Sequence, residues 1–316
     1  MPKKYFIVSF LCVAITSTLT NAKGSMFYKD GNLTEETVEQ QMFLSFLYST
    51  TAGYFVKKLM TNGFVNTITR SYYTSPLSKR LIPGFVKKYN INEAEMEKSI
   101  NEYQSFNDFF IRKLRPDART INRDTSIITS PADSKILIFS PITNETSFFV
   151  KGVTCDLASL LQDQQLAQEY EGGTLILLRL APNDYHRFHF PIDCIPTSTV
   201  QINGIYESVN PIAYKNGTQP LLLNKREVIR LQTNNASDIL LIPVGALCVG
   251  TIVKTFNCGT EYRKGDEAGY FEFGGSTVVL LFKPNTISVD PEILERSARG
   301  IETAVQVGEQ IAVIKN

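Results

Sequence analysis

Ser276 follows two glycines and opens an apolar run, in Phe271-Glu272-Phe273-Gly274-Gly275-Ser276-Thr277-Val278-Val279-Leu280-Leu281-Phe282. Glycine has no Cβ, so backbone at Gly274 and Gly275 bends sharply and is approached closely. In that setting a serine hydroxyl has room to attack the carbonyl that precedes it. The chain holds two histidines, both in Asp184-Tyr185-His186-Arg187-Phe188-His189. They are the groups suited to moving protons near neutral pH. Asp133 lies in Thr129-Ser130-Pro131-Ala132-Asp133-Ser134, just before a strand-like run. An Asp there most often forms a turn; it acquires a chemical role as the carboxylate that orients a histidine.

Each of these residues also has a plainer reading. A nucleophile elbow needs G-x-S-x-G on a strand-to-helix turn. Here Val278 stands where the last glycine belongs, and the following residues favour a strand. On this segment alone a glycine-rich hairpin turn with an incidental serine is the better reading. His186 and His189 are three apart, but H-x-x-H without a third ligand is a poor metal signature, so no metal is expected. A lone histidine is usually a satisfied structural residue. Two in a chain otherwise empty of them, interleaved with Tyr185, Arg187 and Phe188, make that reading less comfortable.

The elements that must position these residues follow from hydrophobic patterning. From Val38 to about Lys88 the pattern is helical and amphipathic, broken at Pro76 and Pro83. Between Thr51 and Asn90 there is no acidic residue, while Lys57, Lys58, Arg70, Lys79, Arg80, Lys87 and Lys88 fall in the same window. Such a stretch suits an anionic membrane surface; a helical layer on the core with a solvated basic face is the alternative. Residues 23–40 read as a flexible lead-in. Residues 91–115 read as one or two helices, with a capped start at Ser105. After Pro116 short β-type runs recur at Lys135–Phe139, Thr174–Leu180, Thr197–Ile202, Val228–Leu231, Ile239–Ile242, Leu247–Lys254, Thr277–Phe282 and Gln310–Ile314. Leu157 to Glu171 reads as an inserted helix. The expected class is α+β: a helical N-terminal part over 23–115, then a mostly antiparallel β body over 116–316.

Composition fits that class. With 316 residues, 43% hydrophobic and 20% charged, the chain is globular and holds one large domain or two. A net charge of +1 gives no field that calls for nucleic acid. Lys3 and Lys4 precede an apolar run from Tyr5, with Thr20 and Ala22 placed for a cut after Ala22. Residues 1–22 therefore read as a signal peptide, or as an uncleaved anchor, although a span needs about 20 apolar residues. Cys155, Cys194, Cys248 and Cys258 show no disulfide framework and read as buried free thiols. The expected location is the secretory and endomembrane system, peripheral to a membrane, or secreted.

Taken together, these segments resemble the phosphatidylserine decarboxylases, pyruvoyl-dependent enzymes of phospholipid synthesis. Ser105-Phe106-Asn107-Asp108-Phe109-Phe110-Ile111-Arg112-Lys113-Leu114 is similar to the family's F-N-x-F-F-x-R-x-L segment. Ser130-Pro131-Ala132-Asp133 resembles S-P-x-D, and Tyr185-His186-Arg187-Phe188-His189 resembles Y-H-R-x-H. Val244-Gly245-Ala246 and Lys264 to Phe271 then lead into Gly275-Ser276-Thr277. All occur in the family's order, over about residues 40 to 316. Ser134 stands where the family has Gly, and Asn224-Lys225-Arg226-Glu227 matches its N-E-R segment in part.

The resemblance implies a lipoyl-like, barrel-sandwich β body and a chain that cuts itself between Gly275 and Ser276. By that analogy Asp133 orients His189, and His189 takes the proton of the Ser276 hydroxyl as it attacks the Gly275 carbonyl. The two products, β and α chains, stay associated. Ser276 becomes a pyruvoyl group, which forms a Schiff base with phosphatidylserine and accepts the electron pair as CO2 leaves. His186 returns the proton, and phosphatidylethanolamine is released. The implied partners are phosphatidylserine and an anionic membrane surface; a homodimer is left open. The rival readings are a pyruvoyl decarboxylase of a soluble amino acid, a non-catalytic lipid-binding relative and a serine hydrolase.

Overall fold

The computed structural model describes residues 26–35, 38–61, 63–143, 146, 156–234, 237–247 and 251–315. The signal or anchor pattern of residues 1–22, together with Cys155 and Cys248, lies outside them.

The described part of the chain begins with a hairpin, β1 (Met26–Lys29) and β2 (Asn32–Glu35), where a flexible lead-in was expected. β1 adds in parallel to a strand near the C-terminus, a long-range pairing that local composition does not encode. Four helices follow: α1 (Val38–Ser49), α2 (Thr51–Met60), α3 (Gly63–Tyr73) and α4 (Ile82–Tyr89). The Thr50 hydroxyl caps α2 by accepting from Gly53 N at 2.9 Å. A Cβ at Gly53 would lie 1.8 Å from the Phe46 carbonyl oxygen, so only glycine lets α1 and α2 approach this closely. Residues 91–115 form two single-turn 3-10 segments and α5 (Phe106–Phe110). Ser105 caps α5 as expected, its Oγ accepting from Asp108 N at 3.1 Å. Among the described residues no helix is long and apolar enough to cross a membrane.

The β body comprises β3 (Ile127–Thr129), β4 (Ser134–Phe139), β5 (Thr174–Leu180), β6 (Arg187–His189), β7 (Cys194–Ile202), β8 (Arg226–Thr233), β9 (Ile239–Gly245), β10 (Ile252–Lys254), β11 (Glu267–Phe271), β12 (Ser276–Phe282), β13 (Ile287–Val289), β14 (Glu302–Val305) and β15 (Gln310–Ile314). A nine-stranded sheet runs β2-β1-β14-β4-β5-β12-β9-β8-β7, and two three-stranded sheets run β10-β11-β6 and β13-β15-β3. Apart from β1 with β14, the strand pairs are antiparallel. The expected barrel-sandwich does not form: the large sheet stays open, with β2 and β7 at its edges. The architecture is a sheet-rich α+β fold.

Two cores explain the openness. Alternate residues of a strand face opposite sides of its sheet. Val278, Leu280 and Phe282 of β12 enter one core with Ile176, Leu178, Phe188, Phe190 and Phe271, roofed by the two small sheets. Val279 and Leu281 enter the other with Leu175, Leu177, Leu240 and Ile242. That second face is covered by α6 (Leu157–Leu161), α7 (Gln164–Tyr170), α8 (Pro211–Lys215) and α9 (Pro220–Leu223). The expected single helix over Leu157 to Glu171 is thus a pair, broken at Gln162, whose φ is +50°. α10 (Pro291–Ala298) completes the first core through Ile293. Each fully buried aliphatic or Phe side chain contributes about 1.5–3 kcal/mol, so a strand buried on both faces is fixed firmly in register. β12 is such a strand, and Ser276 is its first residue.

Candidate active site

Ser276 is held in register on both flanks, opposite Leu180 of β5 and Gly245 of β9, and is wholly buried. The segment before it is pinned from three sides. Glu272 accepts two bonds from the Arg70 guanidinium of α3, at 2.6 and 2.9 Å. Phe273 N donates to Asn107 Oδ1 of α5 at 2.8 Å, and its ring packs on Phe106, Phe110 and Tyr73. Gly274 has φ of +148°, a conformation that side chains rarely adopt. A Cβ at Gly275 would meet Ala246 Cβ at 3.2 Å, tighter than an ordinary contact. Gly274 and Gly275 line a cavity of about 130 Å³ with Phe43 and Leu44 of α1, Arg179, Pro182 and Asn210.

His186 meets the serine. Its Nδ1 lies 3.0 Å from Ser276 Oγ, and its Nε2 lies 2.9 Å from the Ala181 carbonyl oxygen. A carbonyl only accepts, so Nε2 carries the proton and the Nδ1 lone pair faces the hydroxyl. The ring is fully buried and stacked on Phe110, with centroids 3.9 Å apart. Burial, aided by the nearby Arg112 charge, pushes its pKa down to about 3. The turn that carries it is locked by Asp184, which accepts from Ala181 N at 2.7 Å and pairs with Lys135 at 3.4 Å. Phe110, Ala181 and Asn107 were not singled out from sequence. The first and last sat unassigned inside a quoted motif, and the second contributes only a carbonyl.

His189 is placed differently. Its Nδ1 donates to the Gly265 carbonyl at 2.9 Å, which leaves Nε2 to accept from the Tyr185 hydroxyl at 3.3 Å. Burial also lowers its pKa, against the nearby Gly265 carbonyl and the Glu267 and Asp133 charges. Asp133 is occupied as well. Its Oδ1 accepts from Arg119 Nε at 3.0 Å and Val307 N at 2.9 Å, and its Oδ2 from Arg119 Nη2 at 2.6 Å. The expected Asp133–His189–Ser276 chain of contacts is therefore not made in the uncut polypeptide. The reason is topological. His189 pairs with Glu267 at the far end of β6, whereas His186 precedes the strand, in the turn beside the start of β12. The Asp133 and His189 segments do touch, since His189 N donates to the Pro131 carbonyl at 2.8 Å. Among the described residues no cluster of His, Cys, Asp and Glu has the form of a metal site. Cys194 is a buried free thiol as expected, but Cys258 is exposed.

A wholly buried serine behind two glycines, met by the lone pair of a neutral imidazole, has the parts of a self-processing serine site. The sequence model of the phosphatidylserine decarboxylase family matches residues 106–313, which span α5 through β15. The chain is 44% identical over 276 residues to the phosphatidylserine decarboxylase proenzyme of Clostridium tetani, covering 87% of this chain and 93% of that one. It is 42% identical to the proenzyme of Clostridium perfringens, over 81% of this chain and 86% of the relative. It is 40% identical to that of Chlamydia caviae, over 87% and 93%. The chain belongs to the phosphatidylserine decarboxylase family.

Proposed function

We propose that this protein is a carboxy-lyase that converts phosphatidylserine to phosphatidylethanolamine and CO2, using a pyruvoyl group made from its own Ser276. The observation that carries the reading is the 3.0 Å contact between His186 Nδ1 and Ser276 Oγ, at a Gly-Ser junction inside a family of proenzymes.

The residues fit the formation of that group. The Ser276 hydroxyl gives its proton to His186 Nδ1 and attacks the Gly275 carbonyl, so that the peptide C–N bond becomes an ester. Loss of the Ser276 Cα proton expels the Gly275 carboxylate and breaks the chain. One water then replaces the nitrogen, which leaves as ammonia. Because burial lowers the His186 pKa, taking up the proton costs more there than at an ordinary imidazole. When formed, the pyruvoyl group supplies the electron sink for decarboxylation. His186 then holds and returns a proton at the same position, while Asp133 and His189 fix the layer behind it. Residues 23–115 and 116–316 act as helical and catalytic parts, and the β chain (to Gly275) and the α chain (from Ser276) remain joined through β12.

The lipid substrate gives the N-terminal helices a task. Tyr54, Phe55 and Leu59 of α2 are 54%, 66% and 62% exposed, beside exposed Lys58. This face suits an anionic bilayer. The leader-like residues 1–22 support a secretory route and a peripheral membrane location.

Intact mass of the purified protein tests the reading. Two chains are expected, the shorter lighter by one ammonia than a serine-initiated fragment 276–316. Phosphatidylethanolamine should appear when the processed protein meets phosphatidylserine vesicles. An unbroken chain that decarboxylates fully would sink it.

A further inference from the structure

Arg112 is 5% exposed, and the family reading gives its guanidinium no task. Its Nη2 donates to the carbonyls of Asn183 and Asp184, at 3.2 and 3.3 Å, in the turn that carries His186. Its Nε and Nη1 have no hydrogen-bond partner among the described residues, although the guanidinium lies 5.1 Å over the Phe109 ring, and the buried Tyr103 hydroxyl is close enough to interact with it electrostatically. An arginine does not shed its proton inside a protein, and a buried donor left unmade is costly, more so when charged. The nearby carboxylates of Asp133 and Asp184 favour its charge, but neither bonds to these N–H groups. Asp133 is held by Arg119, Asp184 by Lys135 and Glu267 by Arg187. The free N–H groups of Arg112 are thus not met by a carboxylate among the described residues.

The reverse contacts show that this charge is held in place deliberately. Arg187 Nε donates to the carbonyls of Ile111 and Arg112, at 2.9 and 3.3 Å, so the two segments clasp each other. Phe110, two residues before Arg112, stacks on His186 and packs against Phe273 of the Gly-Gly-Ser segment. Arg112 therefore belongs to the same rigid body as the reacting groups.

We propose that Arg112, with the Tyr103 hydroxyl, forms a buried oxyanion site beside the His186–Ser276 pair that takes a carboxylate or phosphate group. A guanidinium with free N–H groups is matched to either. The proposed reaction involves two such anions. One is the carboxylate that cutting leaves on Gly275; the other is the phosphodiester of the lipid. The identity of the source rests on the decarboxylase reading, but the site itself does not.

The test follows the Arg112 side-chain Nε–H resonance in the uncut Ser276→Ala chain and in the processed wild type, with methyl phosphate as probe. If the lipid phosphodiester is the ligand, methyl phosphate shifts the resonance in both proteins. Arg112→Gln then raises KM for a short-chain phosphatidylserine by at least about tenfold and leaves kcat within about threefold. If the Gly275 carboxylate is the ligand, the resonance differs between uncut and processed protein without any addition, and methyl phosphate has no effect on the processed form. Arg112→Gln then removes the difference in melting temperature between the two forms. Arg112→Lys, which keeps the charge, should recover part of either effect. A resonance moved by neither methyl phosphate nor processing overturns the proposal, and it can be read in wild-type side chains even if Arg112→Gln fails to fold. Absence of phosphatidylethanolamine from the wild-type reaction would instead count against the decarboxylase reading and leave the methyl phosphate result standing.

Discussion

His186 faces Ser276 with the nitrogen that has no proton, because its other nitrogen is committed to the Ala181 carbonyl. The tautomer is set by one backbone oxygen in the turn that Asp184 locks. An acceptor aimed at a hydroxyl is what the first step of chain cutting requires.

Replacing His186 by Ala removes that acceptor. The variant should cut at least about a hundredfold more slowly than wild type, the low end for loss of a positioned acid–base group, and should not decarboxylate. His189→Ala, which loses contacts only to Gly265 and Tyr185, should cut faster than His186→Ala. Gel quantitation of uncut chain over time measures both. The opposite ranking would restore the assignment implied by the family's motif order.

The pH dependence of cutting separates the two histidines independently. With its pKa near 3, His186 stays neutral and ready throughout the physiological range. The rate of self-cutting should therefore show no fall between pH 8 and about pH 5.5. A fall with a midpoint between about 6 and 7 would mean that an imidazole of ordinary basicity takes the proton.

The same burial has a cost in acid. In the unfolded chain His186 binds a proton near its ordinary pKa of 6.5, while the folded chain refuses it down to about 3. The unfolded state thus binds more protons in that window, and stability falls as pH drops through it. His186 alone should cost about 2 kcal/mol by pH 5, and His189, lowered in the same direction, adds to this. Urea midpoints of the Ser276→Ala chain at pH 7.5 and pH 5 measure the loss. Equal midpoints would show that the rings are not held neutral.

Asp133 is engaged in holding structure. Its carboxylate collects Arg119 and Val307 N, and Arg119 also pairs with Glu95 at 2.9 Å. Removing the carboxylate leaves the Val307 N–H without its acceptor and Arg119 with Glu95 alone, a loss of about 1–3 kcal/mol for the orphaned buried donor. Asp133→Ala should lower the melting temperature sharply along with activity, whereas Asp133→Asn should fold better and cut more. Activity lost at an unchanged melting temperature would give Asp133 a direct chemical part instead.

Much of this was legible in the residues. β5 and β15 appear at their expected ends because their apolar runs are bounded by turn residues. Ser276 was singled out because Gly-Gly before an apolar strand is a local pattern. What stayed hidden was long-range. The β1–β14 pairing, the orphaned donors of Arg112 and the choice of His186 over His189 at the serine depend on which strand lies beside which. The spacing of three between the histidines is the same whichever one faces β12.

The exposed face of α2 yields the last prediction. Phe55 and Leu59 lie one turn apart and face away from the core, while Lys57 on the same helix turns inward to Glu207 at 3.0 Å. The helix is thus anchored by one side and bare on the other. A face that only covers the core would not leave its largest apolar side chains in water, although single exposed ones are ordinary. Phe55→Glu with Leu59→Glu should leave folding and self-cutting intact, because neither side chain supports the fold. It should weaken binding to vesicles of anionic lipid by at least about tenfold, since two buried apolar groups are lost and two like charges are added. Turnover of phosphatidylserine in vesicles should fall in step, while turnover of a monomeric short-chain analogue should not. Unchanged vesicle binding in the double variant would remove α2 from the membrane and leave its exposed face unexplained.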